Sequence, residues 1–172
     1  MPTTIIYLLL FSGMLGKSAS TDYQHINDLQ LHITNASMSG VATVEIKNAS
    51  SKPLRVWDES NSWGAARWRI FLVRLGKTKS FFENPNQDFV RNNPIFDEVP
   101  SGNQKAYRLD LNGGNWCGVG RCTSFGSRRH GSEQVRFQRG DMIIISYDVP
   151  YTPESLRFDV WYGVATAFQV IR

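Results

Sequence analysis

The sequence predicts an all-β chain folded as a two-sheet sandwich of about seven to nine strands. Three observations carry that prediction. Short stretches in which apolar and polar residues alternate recur from Leu29 to Ile171. Clusters of Gly, Pro, Asn and Ser interrupt them every ten residues or so, and no segment shows a helical period. Residues 21–172 read as one domain, because nothing repeats and no composition break divides them. A chain of that length can bury a core without a dense disulfide framework.

Leu29, Leu31 and Ile33 alternate with Gln30 and His32, which makes a first strand. Ala42, Val44 and Ile46 alternate with Thr43, Glu45 and Lys47 to make a second, and Leu54-Arg55-Val56-Trp57 follows a Lys-Pro turn as a short third. Trp68 to Leu75 is the longest and most apolar run, and its mixed faces predict burial on both sides for part of its length. Gly76-Lys77-Thr78 reads as a turn returning into Lys79–Phe82. The Pro- and Asn-rich stretch 83–103 is predicted to be irregular. Gln104 to Leu111 alternates again, residues 112–133 form a long loop, and Val135 and Phe137 start another strand. Met142 to Tyr147 is a buried strand. Leu156–Tyr162 and Val164–Ile171 close the chain, broken at Gly163.

The N-terminus carries an export pattern. An apolar stretch of about eleven residues begins at Ile5, within the range of a signal-peptide core and short of a bilayer span. Ser18 and Ser20 then occupy the −3 and −1 positions of a cut after Ser20, and a cut after Ser18 is nearly as well placed. Residues 1–20 are therefore expected to be a cleavable signal and the mature protein to be secreted, with no transmembrane segment. Read otherwise, the run is a buried N-terminal strand or an uncleaved anchor. In that compartment Asn35-Ala36-Ser37 and Asn48-Ala49-Ser50 are N-glycosylation acceptors, at Asn35 and Asn48. The two cysteines, Cys117 and Cys122, are expected to close a small disulfide ring worth roughly 2 kcal/mol. Zinc needs about four ligands and only His130 lies nearby, so no metal or other cofactor is expected.

Val99-Pro100-Ser101-Gly102 before an alternating strand, Arg139-Gly140-Asp141 before a buried one, and Trp161-Tyr162-Gly163 before the last together resemble secreted immunoglobulin-like sandwich modules. The resemblance covers most of the chain from residue 29 and implies an Ig-like architecture in the broad sense. The two distant cysteines that bridge the sheets of antibody-type domains are missing. The resemblance implies no activity and no functional residues.

The chain is 41% hydrophobic and 12% aromatic with a formal charge of +4, which excludes a disordered tail and by itself predicts no nucleic-acid partner. The candidate binding site is the loop around the cysteines. Trp116, Arg121, Arg128, Arg129 and His130 cluster there, with Arg136 and Arg139 following, and arginine forks grip sulfate, phosphate or carboxylate. A solvated basic loop is the plainer reading. Trp57-Asp58-Glu59-Ser60-Asn61-Ser62-Trp63-Gly64 is a second candidate, as a sugar platform, a weak calcium site, or simply Trp rings plugging the sandwich under a capped turn. Arg139-Gly140-Asp141 matches the integrin tripeptide, but between Phe137 and an apolar run it reads as a hairpin corner. No catalytic motif is present among three scattered histidines. The expected function is a secreted, non-enzymatic binding module, monomeric or weakly associating, that meets an extracellular protein through its end loops. The alternatives are a heparin-like anionic-glycan or carbohydrate binder and, last, a hydrolase.

Overall fold

The computed structural model describes residues 28–172 except 60, 65, 84–92, 114–115 and 119–134. Ten strands and one short helix follow in chain order: β1 (Leu29–Ser37), β2 (Val41–Asn48), β3 (Leu54–Trp57), β4 (Trp68–Arg74), β5 (Lys77–Glu83), β6 (Phe96–Val99), β7 (Gln104–Asp110), β8 (Trp116–Gly118), β9 (Met142–Val149), α1 (Pro153–Arg157) and β10 (Gly163–Val170). All the strand pairs are antiparallel. They form a three-stranded sheet ordered β1-β2-β7, a five-stranded sheet ordered β10-β9-β4-β5-β8, and the β3-β6 ribbon. The chain is all-β, and among the described residues no helix is long and apolar enough to cross a membrane.

Alternation explains which faces are inside. On β2, Ala42, Val44 and Ile46 are fully buried, and on β7 Tyr107 and Leu109 share that face. From the larger sheet, Trp68, Ile70 and Leu72 of β4 and Ile143, Ile145 and Tyr147 of β9 point at them. Register fixes the rows, with Ile70 opposite Ile145 and Trp68 opposite Tyr147. The buried side chains join into one core. On β10 the inward residues are Ala165 and Ala167, and these short side chains let β1 approach that strand closely.

Four expectations are corrected. Phe96–Val99, inside the stretch expected to be irregular, forms β6 against β3. Trp116–Gly118, expected to lie in a loop, pairs with β5 at the sheet margin. Val135 to Phe137, expected to start a strand, belongs to no strand among the described residues, and the Val135 backbone bonds the Asn112 side chain instead. Leu156–Tyr162, expected to be a strand, begins inside α1, where the Thr152 side chain accepts from the Ser155 backbone and the Ser155 side chain reaches back to Thr152. That capping box, with Pro153 opening the helix, outweighs the alternation that follows it.

The β4–β5 turn is the two residues Leu75 and Gly76, since Arg74 pairs with Lys77. Both have positive φ, 47° and 74°, as a type I′ hairpin requires. Leucine is a poor choice there, and its side chain is 96% exposed. Leu75→Asn is expected to raise the unfolding free energy by about 0.5–1 kcal/mol, measured by chemical denaturation, because asparagine tolerates the left-handed conformation.

Candidate functional site

The outer face of the five-stranded sheet is the surface that departs most from ordinary patterning. A sheet with one solvated face normally alternates apolar and polar residues. Here the outward phase of β4, β9 and β10 is also apolar over two rows, beside a polar row of Thr166, Ser146 and Arg69. Phe168 of β10 lies opposite Ile144 of β9, which lies opposite Phe71 of β4. The next row runs Val170, Met142, Val73. Phe168 is 73% exposed, Val164 56% and Val170 49%, while Ile144, Phe71, Met142 and Val73 are half-buried. Phe82 of β5 adds an exposed ring opposite Arg69. The charges on this face are Arg69 and Asp148, paired with each other at 3.0 Å at one end. The both-sided burial expected for β4 is thus half realised. Among the described residues no element covers the second side.

The end loops look different. Trp116 is buried on β8, and Cys117 beside it is 2% exposed. Arg121, Cys122, Arg128, Arg129 and His130 lie outside the described residues. Arg136 and Arg139 are exposed, and the Arg136 carbonyl accepts from the Arg74 guanidinium at 2.8 Å. Asp141 of the Arg-Gly-Asp tripeptide is 1% exposed. Its two oxygens take a bidentate grip from Arg74, 2.8 Å from Nε and 2.7 Å from Nη2, and the Gln138 backbone N–H donates to it at 2.6 Å. Gly140, at φ 90°, turns the corner. An aspartate held this way cannot also meet an integrin, so the corner reading is the one realised.

The Trp57–Gly64 loop plugs the sandwich end. Trp57 is buried and its ring stacks on Trp63 at 5.9 Å. Asn61, fully buried, caps the turn: its Nδ2 donates to the Ile95 carbonyl while its Oδ1 accepts from the backbones of Trp63 and Gly64. Gly64 is forced, since a Cβ there would lie 1.8 Å from the Asp58 carbonyl oxygen. Glu59 accepts the Trp68 indole N–H at 2.7 Å. Loss of water around that carboxyl raises Glu59 above the ordinary carboxylate range, against the pull of the indole. Burial likewise keeps the Tyr107 phenol protonated, and its hydroxyl has no hydrogen-bond partner among the described residues. Lys105 lies over the Tyr107 ring and pairs with Asp97. Among the described residues no group of three or more His, Cys, Asp or Glu side chains is placed to hold a metal ion.

An open groove of about 780 Å³ runs between the β2–β3 turn and α1. Lys52 and Arg55 face it together with Asp28 and Asp159, so its charges are mixed. That mixture does not favour an anionic chain.

The two sequons separate. Asn35 is exposed on β1, next to an irregularity in the β1–β2 register. Asn48, the other expected acceptor, is fully buried. Both of its amide hydrogens are used, on the Lys52 carbonyl at 2.7 Å and the Val99 carbonyl at 2.8 Å. Its Oδ1 accepts from the Ser50 backbone and hydroxyl. A glycan on Nδ2 would break this knot, in which Asn-Ala-Ser acts as an Asx-type turn.

Comparison with known proteins adds no identity: no family model, curated protein or solved structure matches this chain.

Two predictions follow from these knots. Asn48→Ala is expected to cost about 2 kcal/mol of stability in denaturant, since it strands the buried Val99 carbonyl and the Ser50 donors, whereas Asn35→Ala should stay within about 0.5 kcal/mol. The Arg74 guanidinium, helped by the Gln138 N–H and opposed by burial, holds the Asp141 carboxyl below the usual carboxylate range. Its contribution is therefore complete above the unfolded aspartate value of about 3.9 and is lost as pH falls from there through the lowered folded value. Asp141→Asn should cost about 2–3 kcal/mol at pH 7, less than a fully buried pair because Arg74 is partly exposed. Unfolding curves at pH 7 and pH 2 should show that gap narrowing in acid.

Proposed function

We propose that this is a secreted, non-enzymatic interaction module of broadly Ig-like architecture. On this reading its working surface is the outer face of the five-stranded sheet, in place of the end loops that the sequence favoured. The single observation that carries it is the apolar patch of exposed Phe168 and Val170, continued by Ile144, Met142, Phe71 and Val73, with Val164 exposed beyond the polar row of Thr166, Ser146 and Arg69. Scattered exposed apolar residues are ordinary, but contiguous ones rimmed by polar groups mark contact surfaces. Thr166, Ser146, Ser80 and Thr78, with the Arg69–Asp148 pair, supply such a rim. Export is supported by the signal pattern of residues 1–20, and a Cys117–Cys122 bridge by their spacing in an oxidising compartment. The antiparallel sheets packed over one core support the Ig-like architecture.

The expected partner surface is apolar and not an anionic glycan, because the face carries no unpaired charge. The test is binding of anilinonaphthalene sulfonate to the folded protein, which reports accessible apolar surface. Phe168→Ser with Val164→Ser should remove most of the dye signal while moving the unfolding free energy by no more than about 0.5 kcal/mol. A native protein that binds no dye would overturn the assignment.

A further inference from the structure

We infer that β10 pairs edge to edge with β10 of a second copy of this chain, antiparallel across a two-fold axis. The inference deepens the reading just given and rests on it, since it names the partner of the β10 margin of that face.

Edge strands are ordinarily guarded by charge, proline, bulges or shortness, because their free N–H and C=O groups template pairing with another chain. The other margins of the two larger sheets have such guards. β8 is three residues long. β1 carries a register irregularity between Ile33 and Asn35. β7 holds Lys105, Arg108 and Asp110. The eight residues of β10, Gly-Val-Ala-Thr-Ala-Phe-Gln-Val, contain no charge and no proline. Among the described residues the strand is hydrogen-bonded in unbroken register to β9 alone, while β1 packs close to it with no ladder between them.

A second copy fits this edge for two reasons. Residues directly opposite in an antiparallel pair point to the same face. Self-pairing therefore sets even-numbered residues against even-numbered ones, and in the register centred on Thr166 the Val164 of each copy faces Phe168 of the other on the outer face. The strip is also neutral, so two molecules that each carry a net positive charge meet there without like charges opposed. The contact is small. An eight-residue strand is about 27 Å long, and the flanking side chains bring roughly 300 Å² per copy, well below the ~800 Å² of a standard stable interface. The dimer is accordingly weak and concentration-dependent.

The test is sedimentation velocity of the purified protein over a concentration series, with Thr166 as the reporter. Thr166 is exposed at the strand centre, so charging it leaves the core intact. The expected result is a reversible monomer–dimer equilibrium with a midpoint in the tens of micromolar. Thr166→Lys should weaken it at least tenfold, as should Thr166→Glu. Mixing the two variants should restore a dimer, because lysine then faces glutamate across the axis. Dimerisation that ignores both substitutions would overturn the inference. So would a protein that stays monomeric to several hundred micromolar. If that monomer still binds the apolar dye, the face stands as a contact surface for a different partner; if it binds none, both readings fall.

Discussion

Trp68 is the contact on which the two sheets depend. Its ring, fully buried on β4, lies 5.3 Å from the Tyr107 ring of the three-stranded sheet and 4.7 Å from Tyr147 on its own sheet. Tyr147 continues the stack to Trp161 at 6.0 Å. Where antibody-type domains place a disulfide between sheets, the described core here is closed by aromatic packing. Such rings bury large areas and prefer the tilted geometries seen. The indole N–H meets Glu59, so the same residue ties the end loop to the core. Anchoring of the sheets and closure of the end both follow from one side chain, while burial raises the Glu59 carboxyl against that indole bond.

Because the inner face is satisfied by these aromatics and by aliphatic rows, the outer face is free to serve something else. An apolar outer face has no folding role where no layer covers it, and it invites association. The same strands are thus doubly apolar for two unlike reasons. One phase of each builds the core, and the other leaves apolar side chains on the outer face. The mixed-charge groove beside α1 and the plugged Trp57–Gly64 loop offer no comparable surface.

Several polar motifs that read as functional in the sequence turn out to be structural fasteners. Asn48, Asn61 and Asp141 are each nearly or fully buried, and each satisfies several backbone groups at once. An Asn-x-Ser triplet and an Arg-Gly-Asp triplet are short enough to arise wherever turns need side chains that bond the backbone. Burial decides between the readings, and burial depends on residues far away in sequence. Val99 closes on Asn48 and Arg74 closes on Asp141, across 51 and 67 positions.

By itself the sequence determined the all-β class, the inward phase of β1, β2 and β7, and the corner at Gly140. Those features rest on local alternation and turn chemistry, which a single strand displays without its neighbours. It also marked β4 as apolar on both phases, though not what either side would meet. Only the tertiary structure decided that Trp63 and Trp116 pack inward, that Asn48 is buried, and that Phe168 faces out on the last strand of a sheet. The physical reason is that strand order and sheet facing are set by contacts between distant segments. An alternating segment names its two faces without saying which is covered. On β10 the small residues, Ala165 and Ala167, take the inside, and the larger Val164, Phe168 and Val170 are left on the surface.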